Sequence, residues 1–396
     1  MYFRYDRESP VLKKLEFDPE KVISKIEEVV SYLSERLSLP YTMKRLQENV
    51  DDIKPSDIYC TLAIEFTGDL NRLTGTMKVL VPEIRWYTNI KGIKRFVQNQ
   101  IRDLLYINKP KSCRVISEYP PFSMYLTKEN IPVFSIEGNP AYAVPLYLLL
   151  ATDTEEGADI GKLEQFDFSE HLQDMMDVNK QDDYFKKMSQ VRNTSTNRSK
   201  FLYELVLAMF DSSIILKEFF NTPADIILSM IEKIFEDEDN DKGIGLDLTH
   251  RRLRTVQEMI SYDLCWEIMT KILYNRFIIS KQRRDLNCVI DPFRGIYDFV
   301  LTETMFHAPL ATLSNKFRAT LTGSGGFNKD NVPLTLKDLH PSQFRNVCPI
   351  VTPDREKAGI VLYLSYCSDI DKLGRFELTP LEGYDAIYEI ERGDDQ

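Results

Sequence analysis

Apolar residues recur at Val22, Ile23, Ile26, Val29, Val30, Leu33 and Leu37. That spacing is one face of a helix. Asp18 and Pro19 read as its N-cap and first residue, and Pro40 closes it, so a packing helix is predicted. Apolar and polar positions alternate from Cys60 to Phe66, and Met77 to Val81 follows a glycine-containing turn, which predicts a β-hairpin. Ile131 to Leu150 mixes strand-like and helical signals. Beyond Ala151 the pattern becomes mostly helical, most clearly over Phe201–Phe210 and Ala224–Phe235. Val256 to Phe277 reads as a long helix with Val256, Met259, Ile260, Leu264, Ile268 and Ile272 inward. From Asp291 onward glycine and proline multiply and the predicted strands are short. The chain has no internal repeat and no low-complexity linker.

The chain has 396 residues, enough for two or three domains. Its formal net charge is −11, which argues against a simple DNA-coating protein. The charge is uneven: residues 151–245 hold 21 acidic and 10 basic side chains, whereas residues 246–330 hold 12 basic and 9 acidic. One part can therefore meet nucleic acid while another repels it. The acidic run Glu236–Asp241 lacks the spaced ligands and placed glycine of a calcium loop, and reads as a solvated loop. Six scattered cysteines contain no C-x-x-C pair, so buried reduced thiols are expected in place of a zinc site. The four histidines form no H-E-x-x-H. The first ten residues lack the apolar core of a secretory signal, and Pro145 breaks the longest apolar stretch, Ala141–Ala151. A cytoplasmic protein with no membrane partner is expected.

Catalytic motifs are scarce. There is no G-x-x-x-x-G-K-[ST], no G-x-S-x-G and no dinucleotide fingerprint. Thr322-Gly323-Ser324-Gly325-Gly326 could form an anion-binding nest, but no Lys-Ser/Thr follows it, and alone it reads as a tight turn. Its surroundings say more. Pro309 to Ser365 reads PLATLSNKFRATLTGSGGFNKDNVPLTLKDLHPSQFRNVCPIVTPDREKAGIVLYLS. Without a gap, this resembles the fork region of the β subunit of multisubunit DNA-dependent RNA polymerases. The shared anchors include Pro309, Lys316, Arg318, Gly323, Gly325, Gly326, His340, Pro341, Cys348, Pro349, Pro353 and Gly359. Upstream, Leu248–Met259 (LTHRRLRTVQEM) resembles the family's L-G-N-R-R-x-R-x-V-G-E. A weaker likeness covers VPLYLLLATDTEE within residues 131–156.

The resemblance implies an α+β, multi-domain fold. Residues 1–110 would be protrusion-like, 111–245 lobe-like, acidic and largely helical, and 246–396 the protrusion return and fork. It implies DNA or RNA contacts at Arg251, Arg252, Arg254, Arg318, Lys329, Arg345 and Asp354, with Gly323, Gly325 and Gly326 shaping the fork turn. Read singly, each arginine of the 251–254 cluster could instead belong to a solvated or salt-bridged face. Departures weaken some contacts: two loop arginines of the family become Lys329 and Asn331, and its E-T-P-E-G becomes Val351 to Arg355. No catalytic residue is expected in this chain. The Mg²⁺ of the assembled enzyme would be held by aspartates of a β′-type partner, and none by this chain. The later β motifs are absent, so the chain resembles the N-terminal part of a split β subunit, as in jumbo bacteriophages. Its implied partners are a C-terminal β fragment, β′-type chains, a promoter-specificity factor, template DNA and nascent RNA. Its implied location is the cytoplasm of an infected bacterium, with packaging into virions also open. Asn315, Thr302 and Met305 replace polar groups of the family's rifamycin pocket, which implies resistance. The alternative reading is a β-derived, non-catalytic interaction or regulatory protein.

Overall fold

A computed structural model describes residues 9–46, 57–68, 73–85, 87–152, 160–163, 166, 181–191, 194–235, 247–279, 285–293, 300–301, 314–323, 326, 336, 340–351 and 358–378. Helix α1 (Pro10–Lys14) precedes α2 (Pro19–Leu37). In α2 the Asp18 side chain accepts from Glu20 N at 3.0 Å, and Ser38 ends the helix in the left-handed region at φ 52°. Its buried face is the set of seven apolar residues that the spacing picked out.

Strands β1 (Tyr41–Leu46), β2 (Ile58–Gly68) and β3 (Leu73–Pro82) form the expected hairpin plus one strand, and β13 (Cys288–Ile290) joins β3 in parallel. The chain next builds β4 (Thr88–Ile90) and β5 (Ile93–Val97), an antiparallel hairpin extended by β14 (Val300–Leu301). One residue later, β6 (Asn99–Asp103) enters a different sheet. Strands β7 (Leu105–Lys109), β8 (Ser112–Ile116), β9 (Phe122–Leu126), β10 (Pro132–Ile136) and β11 (Asn139–Tyr142) then form a five-stranded antiparallel meander. The helices follow: α3 (Ala143–Thr152), α4 (Ile160–Leu163), α5 (Gln181–Met188), α6 (Thr196–Ser212), α7 (Ile214–Phe219) and α8 (Pro223–Phe235). Strand β12 (Arg251–Arg254) leads into α9 (Val256–Phe277), capped by Thr255 Oγ1 accepting from Glu258 N at 3.2 Å. Short strands β15 (Arg318–Thr320) and β16 (Val361–Tyr363) complete the described elements.

The mixed α+β class expected from the sequence is the one found. The mixed signals over residues 131–150 resolve into β10, β11 and then α3, whose Pro145 sits in the first turn, where no intrahelical N–H is needed. Residues 111–142 form the non-helical part of the 111–245 stretch, which was expected to be largely helical as a whole. They are strands, short and punctuated by Pro120, Pro121, Pro132 and Pro140, so their alternation is cut before it becomes conspicuous. Among the described residues no helix is long and apolar enough to cross a membrane. The run Glu236–Asp241 lies outside the described residues.

Two apolar cores result. The larger joins α2, β2, β3, the meander and the helices from α3 to α9. The smaller gathers Val11 and Leu12 of α1 with Ile101, Leu253, Phe317, Ala319, Leu362 and Phe376. The first and last described segments therefore share one core, beneath the sheet that carries Arg251, Arg252, Arg254 and Arg318.

Candidate nucleic-acid interface

That sheet has the order β12-β6-β15-β16. Strand β6 is its hinge: β12 pairs with it antiparallel, with Arg251 opposite Asp103 and Arg252 opposite Arg102, while β15 pairs with it in parallel. The two strands, whose arginines were singled out from separate motifs, thus share one partner. Leu253 N donates to Gly374 O at 2.7 Å, which fastens the end of the described chain to β12. Gly374 has φ +81°, and a Cβ there would lie 2.2 Å from Leu253 O, so glycine is what lets the two backbones meet.

Arg251, Arg252 and Arg254 are 4, 1 and 3% exposed. Arg251 Nη1 lies 2.9 Å from Asp103 Oδ1. Arg252 grips Glu258 with both terminal nitrogens, at 2.6 and 2.9 Å. Arg254 Nη2 donates to Glu118 O at 3.0 Å and to Asp263 Oδ1 at 3.2 Å. Glu118 is itself buried and accepts from Ser213 Oγ, Ile214 N and Ile215 N, capping α7. A fourth arginine, Arg102 of β6, stands opposite Arg252 and donates to Ser117 O at 3.3 Å. Burial, aided by repulsion from Arg254 and Arg252, pushes its pKa down to about 9. In this chain by itself, a phosphate could reach the 251–254 set only if the carboxylates and backbone over it moved. The geometry supports the salt-bridged alternative raised for these arginines and gives them a fastening role between β12, α9 and the meander.

Arg318 on β15 is 9% exposed and sits over the Tyr363 ring, its cross-strand neighbour, at 5.9 Å from the centroid. Gly323, at φ +111°, follows β15 and accepts from Gly326 N at 2.9 Å, closing the turn. A Cβ on Gly326 would lie 2.4 Å from Leu321 O and 2.8 Å from Gln100 Nε2. The glycine turn is pressed against β6. Gly325, Lys329 and Asp354 lie outside the described residues.

Arg345 behaves differently. It is exposed, its backbone takes φ +70°, and its carbonyl accepts from Ser365 Oγ. It tops a turn that starts at a 3-10 segment, Pro341–Gln343, N-capped by His340 Nδ1, which accepts from Ser342 N at 3.3 Å. His340 Nδ1 also lies 3.3 Å from Asp247 Oδ1, and Leu248 N donates to Ser342 Oγ at 2.8 Å. Burial alone would raise the pKa of Asp247, but hydrogen bonds from Thr249 and the neighbouring His340 and Ser342 hold it below the ordinary carboxylate range. Phe344 on this turn, and Ile350 and Val351 on the next, past the Val347–Leu364 bridge, are exposed, with Ile350 at 91%.

Sequence reasoning missed Arg102, Asp103, Glu118 and Asp263, the groups that bury the arginines. Glu258 was noticed as a matching residue, but its role as the partner of Arg252 was not. The available signal was charge balance in the neighbourhood of Arg251–Arg254, namely Glu258 and Asp263 on the helix that follows. Among the described residues no group of three or more His, Cys, Asp or Glu is placed to hold a metal ion.

Residues 307–370 match the family described as RNA polymerase Rpb2, domain 3. The chain is similar to the DNA-directed RNA polymerase subunit beta of Pyropia yezoensis, 31% identical over 170 residues that cover 39% of this chain and 15% of that protein. The subunit beta of Mesoplasma florum is 30% identical over 170 residues, covering 40% and 12%. That of Trieres chinensis is 35% identical over 69 residues, covering 17% and 5%. The chain thus spans about 15% of the length of the first of these relatives and less of the other two. It is related to RNA polymerase β subunits through part of its length.

Proposed function

We propose that the chain is a component of a DNA-directed RNA polymerase, equivalent to the N-terminal part of a split β subunit, that helps wall the cleft around DNA and RNA. The observation that carries the reading is the ungapped fork-like stretch, matched over residues 307–370 and seated on β6 and β12 through β15 and β16. In this reading residues 1–110, 111–245 and 246–396 correspond to protrusion, lobe, and protrusion return plus fork. Arg345, Lys329 and Asp354 face nucleic acid. Arg251, Arg252, Arg254 and Arg318 set the shape of the wall from within, and Gly323, Gly325 and Gly326 shape its turn. Mg²⁺ and the catalytic carboxylates belong to a β′-type partner. The remaining partners are a C-terminal β-type chain and a promoter-specificity factor, in the cytoplasm of a phage-infected bacterium. Asn315 and Lys316 line a cavity of about 310 Å³ with Phe17, Phe96, Asn99 and Val256, where the family's rifamycin site would fall, and the replaced polar groups favour resistance.

The test is affinity purification of the tagged chain from cells that also express the complementary polymerase chains. Recovery at equal stoichiometry with β′-type and C-terminal β-type chains, with template-dependent RNA synthesis, supports the reading. Recovery with an intact polymerase that already has its own complete β supports the alternative, a β-derived regulator.

A further inference from the structure

The five-stranded meander β7–β11 has two unlike faces. Residues paired across antiparallel strands share a face, so the register sorts the side chains. One row is Cys113, Met124, Phe134 and Ala141, all at 0% exposure in the larger core. The row beside it, Ile107, Arg114, Ser123, Ser135 and Pro140, belongs to the opposite face, and none of its members is buried. The next row on that outer face sets Ser112, Tyr125, Val133 and Tyr142 side by side, with the buried Val133 between the two tyrosines.

These two rows carry an arginine and no carboxylate. In a chain with 61 acidic and 50 basic side chains, an ordinary solvated face mixes both signs. The β7–β8 and β9–β10 turns meet at one end of the sheet, where Leu126 N donates to Lys111 O at 3.1 Å. Those turns hold Lys109, Lys111 and Lys128 against one carboxylate, Glu129. Glu129 lies near Tyr142, whose pKa is raised by burial and then by Glu129 and Tyr125. The other exposed carboxylate of the meander, Glu137, stands at the opposite end, in the β10–β11 turn. Lys111, Arg114 and Lys128 are exposed, and among the described residues none of the three forms an ion pair or a side-chain hydrogen bond. Tyr125 is the diagonal neighbour of Arg114, a spacing of about 7–8 Å that long side chains bridge.

We propose that the outer face of the meander is a platform for a single-stranded nucleic acid, with bases on Tyr125 and the Ser123–Ser135 strip and phosphates along Arg114, Lys111 and Lys128. An aromatic ring on a sheet stacks with any base, and cations beside it hold the backbone, so the grip is strong without reading sequence. The two serines leave the middle of the face low, and their hydroxyls both donate and accept, which suits base edges of any kind. A single strand fits better than a duplex, because a duplex keeps its bases stacked on each other and would leave Tyr125 without a role. The proposal rests on the register and charge of this face and does not depend on the polymerase reading.

The test uses the full chain and a fluorescein-labelled oligo-dT of about 20 nucleotides, with anisotropy followed across a salt series. Tyr125→Leu keeps an apolar neighbour beside Val133 but removes the ring, and should weaken binding at least about fivefold. Arg114→Gln with Lys128→Gln should lower the slope of log K against log salt by about 1.4, at roughly 0.7 per phosphate of a single strand. Lys21→Gln with Lys78→Gln, an equal charge loss on α2 and β3, should leave affinity and slope in place. Thermal melts of every variant keep folding apart from binding. The proposal is overturned if oligo-dT does not bind, if Tyr125→Leu has no effect, or if the two charge pairs have equal effects. A duplex that binds as tightly and is indifferent to Tyr125 also overturns it, since the face would then be a plain phosphate contact. So does polyglutamate that competes as well as oligo-dT, since the partner would then be an acidic protein. None of these results touches the co-purification test, so the two readings fall separately.

Discussion

At the scale of single residues, arginines that look alike in sequence do opposite things. Arg252 is sealed against Glu258, whereas Arg345 is exposed on a turn at φ +70°. Removing one partner of a buried pair leaves the other charge uncompensated. Arg252→Ala is therefore expected to destabilise the chain by about 3–5 kcal/mol in urea unfolding, while Arg252→Met with Glu258→Leu should recover most of that loss. Arg345→Gln should change stability by less than about 0.5 kcal/mol and lower the affinity of the assembled complex for DNA or RNA. A single variant set thus separates fastening from contact. Gly374→Ala is expected to cost at least about 2 kcal/mol, because both the left-handed backbone and the approach of Leu253 O oppose a Cβ. Which arginines are buried was not legible in the sequence. Charged residues are exposed by default, and the groups that reverse the default include the Asp103 carboxylate and the Glu118 carbonyl, both more than a hundred residues upstream of β12, together with Glu258 and Asp263 on the helix that follows.

At the scale of elements, helices with a one-sided apolar pattern were legible: α2 and α9 fall at the predicted residues, α2 with the predicted cap. The pattern fails where both faces of an element are buried. Strand β12 reads as four polar or apolar residues with no alternation, and all four are buried, so period-two reasoning has nothing to detect. Helix α1 is too short to announce itself, yet Val11 and Leu12 enter the smaller core, Ser9 Oγ donates to Tyr366 O at 2.9 Å, and Lys14 pairs with Asp369 at 2.5 Å. Leu12→Ala should cost about 2–5 kcal/mol. Hydrogen exchange should show the loss in β15 and β16 as well as near residue 12, because these strands share that core. The two 3-10 segments at Leu248–His250 and Pro341–Gln343 make a further claim, on pH. Asp247 has a folded pKa below its unfolded value, so its carboxylate contributes stability above the unfolded value of about 3.9. That contribution is lost as pH falls through the folded pKa. Asp247→Asn should lower stability at pH 7 and flatten its decline in acid, measured by urea midpoints from pH 7 to pH 3. An unchanged acid limb would remove Asp247 from the account.

At the scale of the molecule, the fork-like segment was legible because its motif is long and ungapped, whereas the sheet that seats it was not. That sheet pairs β6 with β15 across more than two hundred residues, and no local pattern encodes such a partner. What the segment presents outward leads to the last prediction. Phe344, Ile350 and Val351 are exposed within eight residues, over two successive turns on either side of the Val347–Leu364 bridge. Single exposed apolar residues are ordinary, but three within eight residues mark a surface that is covered in an assembly. If a polymerase partner covers it, the chain produced alone should self-associate, and co-production with C-terminal β-type and β′-type chains should give a defined complex in which these turns are protected from hydrogen exchange. Ile350→Asp tests the surface directly. The isolated chain should become more soluble with its melting temperature nearly unchanged, because a 91% exposed side chain contributes little to the fold. The complex should weaken at the same time, since a buried carboxylate without a partner is costly. A variant that gains solubility and keeps full assembly would show that this surface is not where the partner sits. A wild-type chain that stays monodisperse and ignores both partner chains would count against the polymerase-subunit reading as a whole.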